Sequence, residues 1–450
     1  MQKLQDDLLA LLGPNGLLIG DAISDHYATD RSLAGHIRPR LVMRPQSTEE
    51  VSACLKICHE AGQPIVPQGG LSGLAGGAIL TGNEISLSLE RLSGIEEVDD
   101  FSLTLKAKAG TPLQMAQAAA DAKGLQLAFD LGARGSCQLG GNIATNAGGY
   151  RVIRYGMTRA HVLGLEVVLP DGTILSDMRK FLKNNTGFDW KQLFIGSEGT
   201  LGIITRVLLR LSPKPAATQT ALCACSHYDQ VLELLKLTRA QLNLTGFEVM
   251  WKRFHQFSAA AAGLQFFDQK PEFILIIEQQ GMAPSQDQAN FEAVLAQALE
   301  QGLLSDCLIA QSGKEAQSFW TLRETLVLDR LPNLINFDVS LDIPRIGEFA
   351  EICMSAIEAR WPGCHHSYFG HIGDGNLHIC VSAGEDIHAV EDLVYEKLRD
   401  FGGSISAEHG IGTLKKPYLG FSRSAEELAL MGKMKSALDP QGLMNPGKVF

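Results

Sequence analysis

Residues 369–380 read FGHIGDGNLHIC. Two histidines, His371 and His378, stand seven positions apart around a Gly-Asp-Gly-Asn core. On an unbroken helix that spacing would bring both rings to one face. Gly373 and Gly375, flanking Asp374, favour a tight turn instead. We therefore read strand, turn, strand, with the two imidazoles brought close across a hairpin. Downstream, SAEHGIG offers Glu408 and His409. Two imidazoles and a carboxylate suit a divalent cation that keeps coordination positions open, and His409 is left as a further imidazole. Histidines near strands are more often ordinary hydrogen-bonded polar residues, so the spacing leaves that reading open.

At 450 residues the chain is too long for one ordinary core, and two or three domains are expected. A hydrophobic content of 45% with 20% charged residues fits a globular enzyme. The formal net charge of −11 argues against a nucleic-acid partner, which selects basic faces. The start, MQKLQDDLLALLG, lacks the basic end, long apolar stretch and small-residue cleavage site of a signal peptide. No run approaches the ~18 apolar residues of a spanning helix. Nine cysteines without a paired CxxC pattern read as reduced, buried thiols, and the expected compartment is the cytoplasm.

Three glycine-rich stretches precede the histidine pair. The first, PIVPQGGLSGLAGGA (64–78), follows a helix that Ser47 or Thr48 can cap and Gly62 can end. Its consecutive backbone N–H groups could form a concave phosphate site, although neither GxGxxG nor a Walker lysine is present. The second, DLGARGSCQLGGNIATNAGG (130–149), reads as too polar and too small in side-chain size to build core. Its glycines would let a flat ligand approach the backbone, among the polar groups of Ser136, Asn142, Thr145 and Asn146. The third is GSEGTLGIIT (196–205), after a hairpin with Asp171-Gly172 at its tip. SPKPAAT (212–218) is the best linker. Beyond it, longer helices and strands suggest an antiparallel sheet covered by helices.

Together these segments resemble the FAD-linked dehydrogenases of the vanillyl-alcohol oxidase superfamily, in the D-2-hydroxyglutarate dehydrogenase and D-lactate dehydrogenase branch. The ending LDPQGLMNPGKVF is similar to that family's C-terminus. The resemblance implies an α+β fold: a two-subdomain FAD-binding domain (1–215), an antiparallel-sheet substrate- and metal-binding cap (216–415), and a C-terminal segment (416–450) returning to the first domain. It implies non-covalent FAD, cradled at the pyrophosphate by Gln68, Gly69, Gly70, Leu71, Ser72 and Gly73. The second stretch would line the flavin through Gly132, Ser136, Gly140, Gly141, Asn142, Ala144, Thr145, Asn146 and Gly149. Glu198, Gly202 and Ile203 would meet the adenosine half, and Asn445 would return to the flavin. His371, His378 and Glu408 become ligands of a divalent metal, zinc first and manganese second. His409 becomes the general base, and Arg323, in WTLRE, the holder of the substrate carboxylate. Read from residues alone, Arg323 would more simply pair with Glu324 or Asp329.

The implied activity is metal-dependent oxidation of a D-2-hydroxy acid, such as D-2-hydroxyglutarate or D-lactate, to the 2-oxo acid by hydride transfer to flavin N5. The electron acceptor would be an electron-transfer flavoprotein or a quinone, which allows a peripheral place at a membrane; a homodimer is allowed too. An oxygen-using oxidase and a flavin subunit of a glycolate-oxidase-like complex are the alternatives. Three positions depart from the 2-hydroxyglutarate pattern. Val327 stands for a threonine, Asn336 for a lysine and Cys380 for an asparagine. Each change removes polarity or charge from a pocket that would receive a carboxylate, and a buried carboxylate without partners is costly.

Overall fold

The structure, a computed structural model, describes residues 2–32, 34–324 and 327–450. By compactness the chain forms two units. The first comprises the residues up to Gly148, Gly156–Lys214 and Glu408–Phe450; the second comprises Gly149–Tyr155 and Pro215–Ala407.

In the first unit, β1 (Leu17–Ile19), β2 (Leu41–Met43), β3 (Ile65–Gln68) and β4 (Ile85–Ser88) form a sheet ordered β1-β2-β4-β3. Its last three strands run parallel. The helix Thr48–Ala61 joins β2 to β3 and has local causes at both ends. Ser47 Oγ accepts the Glu50 N–H at 3.1 Å, and Gly62 leaves the helix at φ 61°. Five antiparallel strands make the second sheet: β5 (Ile95–Asp99) and β6 (Thr104–Lys108), then, beyond the short β7 (Leu125–Gln126), β8 (Val162–Val168), β9 (Ile174–Asp177) and β10 (Ile203–Arg210), ordered β5-β6-β10-β8-β9. β7 pairs with β11 (Ser212–Pro213). The glycine-rich stretch 130–149 is less polar in effect than its composition suggested. Leu139–Ala144 is helical, and that turn drives Leu139 and Ile143 into the core beside Cys137. Residues four apart on a helix lie on the same face, so both are buried together.

The second unit is built on seven antiparallel strands: β12 (Ala217–Cys225), β13 (Leu244–Trp251), β14 (Phe273–Gly281), β15 (Asp306–Ile309), β16 (Ile335–Ser340), β17 (His365–Gly370) and β18 (Asn376–Ser382). They are ordered β15-β12-β14-β13-β17-β18-β16. Period-two alternation sorts their residues by face. Leu222, Ile276, Met250 and Cys380 join one buried cluster with Phe319 and Trp320 of the helix Gly313–Arg323. The register puts Met250 opposite Phe369, Phe369 opposite His378, and Cys380 opposite Asn336. Those residues, with Glu248 two positions from Met250, therefore share that face. On the other face Phe337 packs on Tyr395 of the helix Ile387–Asp400, and Trp251 on Tyr228 of the helix Tyr228–Gln241. All nine cysteines are free thiols, and only Cys307 and Cys364 are partly exposed. No helix among the described residues is long and apolar enough to cross a membrane.

Candidate active site

The GDG core forms the turn that its residue types required. β17 ends at Gly370, a short 3-10 turn covers Ile372–Asp374, and Gly375 returns the chain at φ 90°. A side chain at Gly370 would meet the Asn376 carbonyl at 2.3 Å, so the hairpin closes only over glycine. His371 and His378 thereby come together, with ring centroids 5.3 Å apart and planes at 84°. A nitrogen of each lies within 4.8 Å of one on the other.

Behind His371 stands Glu248, fully buried in the middle of β13. His371 Nδ1 donates to its Oε1 at 2.6 Å, and Arg323 Nε donates to its Oε2 at 2.9 Å. Burial pushes the Glu248 carboxyl up, but His371 and Arg323 outweigh it and hold the group below its ordinary value. Arg323 ends the helix Gly313–Arg323, and its guanidinium carbon lies 4.4 Å from the centre of the Phe369 ring. Its carboxylate partner is thus Glu248, from a distant strand, rather than the sequence neighbours Glu324 or Asp329.

On the far side of the hairpin, Asp338 is directly opposite His378 in the β16–β18 ladder, with Oδ1 4.0 Å from His378 Nδ1. Asp338 also accepts from Asn376 Nδ2 at 2.8 Å. Burial raises Asp374, in the turn, to about 6. Ala407 donates its N–H to the Asp338 carbonyl at 3.1 Å, which anchors the residue just before Glu408 and His409. Cys380 Sγ donates to Asn336 Oδ1 at 3.0 Å, so two of the three departing positions bond each other. Burial pushes the Cys380 thiol up to about 12, so it is a neutral, inert group. Sequence reasoning missed Glu248 altogether and gave Asp338 no role. The available signal was one acid inside each short strand, FEVMW and NFDVS.

In the first unit the glycine stretches meet. Gly70 passes so close to the second stretch that a Cβ there would lie 2.0 Å from the Ser136 carbonyl, while Gly69 lies against Gln138 and Gly141. Leu71 takes φ 53°. Glu198 in the third stretch accepts from the N–H groups of Ile411 and Gly412 at 2.7 and 2.8 Å. Asn445 Nδ2 donates to the carbonyls of Gly77 at 3.0 Å and Glu198 at 2.7 Å, joining the C-terminal segment to the first and third stretches. Asn146 Oδ1 accepts the Arg159 N–H, and Thr145 Oγ1 donates to Gly141. Gly140 and Gly202 are glycine for packing reasons, against Ala109 and Val168 respectively, whereas Gly132 and Gly141 have open space where a side chain would be. Gly149 falls in the second unit.

Comparison with known proteins places this arrangement. Residues 214–449 match the C-terminal domain of FAD linked oxidases, and residues 39–177 match an FAD binding domain. The chain belongs to the FAD-linked oxidases. Among its relatives, the mitochondrial D-2-hydroxyglutarate dehydrogenase of Bos taurus is 39% identical, over 99% of this chain and 84% of that one. The D-2-hydroxyglutarate dehydrogenase of Xanthomonas citri pv. viticola is 40% identical, over 95% and 92%. A mitochondrial protein of Schizosaccharomyces pombe with a provisional D-lactate dehydrogenase name is 36% identical, over 91% and 82%. The chain therefore sits in the FAD-dependent D-2-hydroxyacid dehydrogenase branch. Its fold is shared with an alkyldihydroxyacetonephosphate synthase (TM-score 0.79, 18% identity, 99% of this chain and 86% of that one) and with p-cresol methylhydroxylase (TM-score 0.76, 15% identity, 100% and 96%).

The residues of this FAD-linked oxidase fit its cofactor. Gln68 Oε1, Gln138 Oε1 and Asn445 Oδ1 are buried acceptors without a partner among the described residues, all on or beside the glycine stretches. Such groups are normally satisfied, and a polar ligand there would satisfy them. The histidine pair likewise fits a divalent cation. With Nδ1 of His371 donating to Glu248, its Nε2 carries the lone pair that a metal takes.

Proposed function

We propose that this FAD-linked oxidase oxidises a D-2-hydroxy acid to the 2-oxo acid, using non-covalent FAD and a divalent cation held by His371, His378 and Glu408. The observation that carries this reading is His371, which lies against the His378 ring and is joined to Arg323 through Glu248. When bound, FAD takes up two electrons as a hydride, and the cation lowers the pKa of a hydroxyl that it touches. Arg323 presents its two terminal amino groups to the substrate carboxylate, because Nε is already committed to Glu248. His409 in its neutral form accepts the hydroxyl proton at a ring nitrogen, a role typically contributing ~10²–10⁴-fold. Zinc is the first choice of cation, since nitrogen and carboxylate ligands suit it, with manganese second. Electrons would pass on to an electron-transfer flavoprotein or a quinone.

For the substrate, we favour a small or apolar D-2-hydroxy acid such as D-lactate over the dicarboxylate D-2-hydroxyglutarate. Supporting this, the strand face beside Arg323 carries Phe369 and the neutral Cys380, and Asn336 spends its carbonyl oxygen on that thiol. Neither Cys380 nor Asn336 offers a second carboxylate a charged partner. The test is anaerobic: D-lactate, D-malate and D-2-hydroxyglutarate are added to purified enzyme and flavin bleaching is followed at visible wavelengths. Bleaching by none of a broad D-2-hydroxy-acid panel would sink the proposal. Preferential bleaching by D-2-hydroxyglutarate would reverse the substrate choice. Peroxide formed during aerobic turnover would mark an oxidase instead.

A further inference from the structure

We infer that Glu248 is a positioning residue that sets the cation site and the carboxylate site in register. The inference rests on the proposed roles of His371 and Arg323. Glu248 is 0% exposed, on a strand bonded on both sides, by β14 and β17. One of its oxygens holds His371 Nδ1 at 2.6 Å and the other holds Arg323 Nε at 2.9 Å. The two partners come from elements that share no local sequence: the end of β17 and the end of the helix Gly313–Arg323. A buried ion pair of this kind is poor evidence for stability, because apolar residues of similar volume commonly serve as well. Geometry gives the better account of it.

The first bond fixes the proton of His371 on Nδ1 and aims Nε2 at the cation. The second fixes the plane of the guanidinium, which Phe369 holds from its face at 4.4 Å. With Nε occupied, the two terminal amino groups are left to grip a carboxylate side by side. A 2-hydroxy acid carries its hydroxyl and carboxylate on adjacent carbons, so the spacing between cation and fork must match that short distance. A single carboxylate bonded to both groups determines that spacing directly. No other described side chain bonds to both.

The experiment uses the full-length flavoprotein carrying Glu248→Gln and, separately, Glu248→Asp. Gln keeps an acceptor for one partner only; Asp keeps the charge but withdraws it by one methylene. Each protein is stripped with chelator and titrated with zinc against a chromophoric competitor, and KM and kcat for D-lactate are then measured separately. We expect zinc affinity to fall ~10–100-fold in Glu248→Gln, and KM to rise about tenfold, as for loss of one hydrogen bond to a charged group. Flavin content should equal that of the unaltered enzyme. Asp should show the same pattern in milder form, and it carries the test if Gln prevents folding. Variants that keep their flavin, their zinc affinity and their KM would overturn the role of Glu248. A merely structural role would lower the melting temperature and leave both constants in place, which also overturns it. If the unaltered enzyme itself takes up no zinc, the cation reading fails and the positioning role falls with it.

Discussion

At Gly70 the first two glycine stretches pass within a Cβ of each other. A methyl group there would sit 2.0 Å from the Ser136 carbonyl oxygen and 3.0 Å from the Cys137 Cα, both parts of the main chain. Neither can rotate away, so Gly70→Ala must push the stretches apart. We expect a cost of about 1–3 kcal/mol in stability, read from the urea midpoint, and less flavin per chain on purification. Arg323→Lys probes the other unit. Lysine keeps the charge and loses both the bond geometry to Glu248 and the fork, so KM for the hydroxy acid should rise by at least roughly tenfold, measured by steady-state dye reduction. These two residues also differ in how far sequence alone reveals them. A Gly-Gly pair announces a constrained backbone. Arg323 gave only a plausible ion pair with its neighbours, and its role came through resemblance, because Glu248 lies far away in sequence. Nothing in FEVMW says which distant groups its acid will serve.

Elements follow the same division between local and distant causes. The β17–β18 hairpin was legible because its cause is local: Gly375 adopts φ 90°, which the GDG core makes affordable. The helix Thr48–Ala61 was legible from Ser47 and Gly62 for the same reason. The order of the seven-stranded sheet was not, since β13 reaches β17 only through pairs such as Val249 with Gly370, across four intervening α-helices and three strands. The helix Lys252–Ala262, packed on that sheet, supplies a pH test. His255 is buried, and its Nε2 donates to the Pro271 carbonyl at 2.9 Å. Burial lowers it to about 4, against an ordinary 6.5. A depressed folded-state value means that the unfolded chain binds the proton first. Stability is therefore full above about pH 6.5 and is lost as pH falls toward 4, by on the order of 3 kcal/mol. Thermal melts from pH 7 to pH 4 should show this loss, and His255→Phe should show a visibly smaller one.

Across the whole molecule, most of the groups proposed for the two cofactors sort by unit, Glu408 and Gly149 excepted. The buried acceptors Gln68, Gln138 and Asn445 belong to the first, and the imidazoles His371 and His378, with Glu248 and Arg323, to the second. Glu408 and His409 begin the final segment of the first unit directly after Ala407, the last residue of the second. Removing the cation should therefore act on one function without the other. Prolonged chelation is expected to abolish flavin bleaching by the hydroxy acid while the flavin absorbance, and its retention through gel filtration, stay unchanged. Zinc should restore bleaching, and a comparison with manganese identifies the better ion. The chelated enzyme should still accept electrons from dithionite, because that reaction needs neither the histidines nor Arg323. Loss of flavin on chelation would show that the two sites depend on each other, and the division of roles between the units would have to be abandoned. Full activity after verified metal removal would instead return His371 and His378 to ordinary hydrogen-bonded histidines.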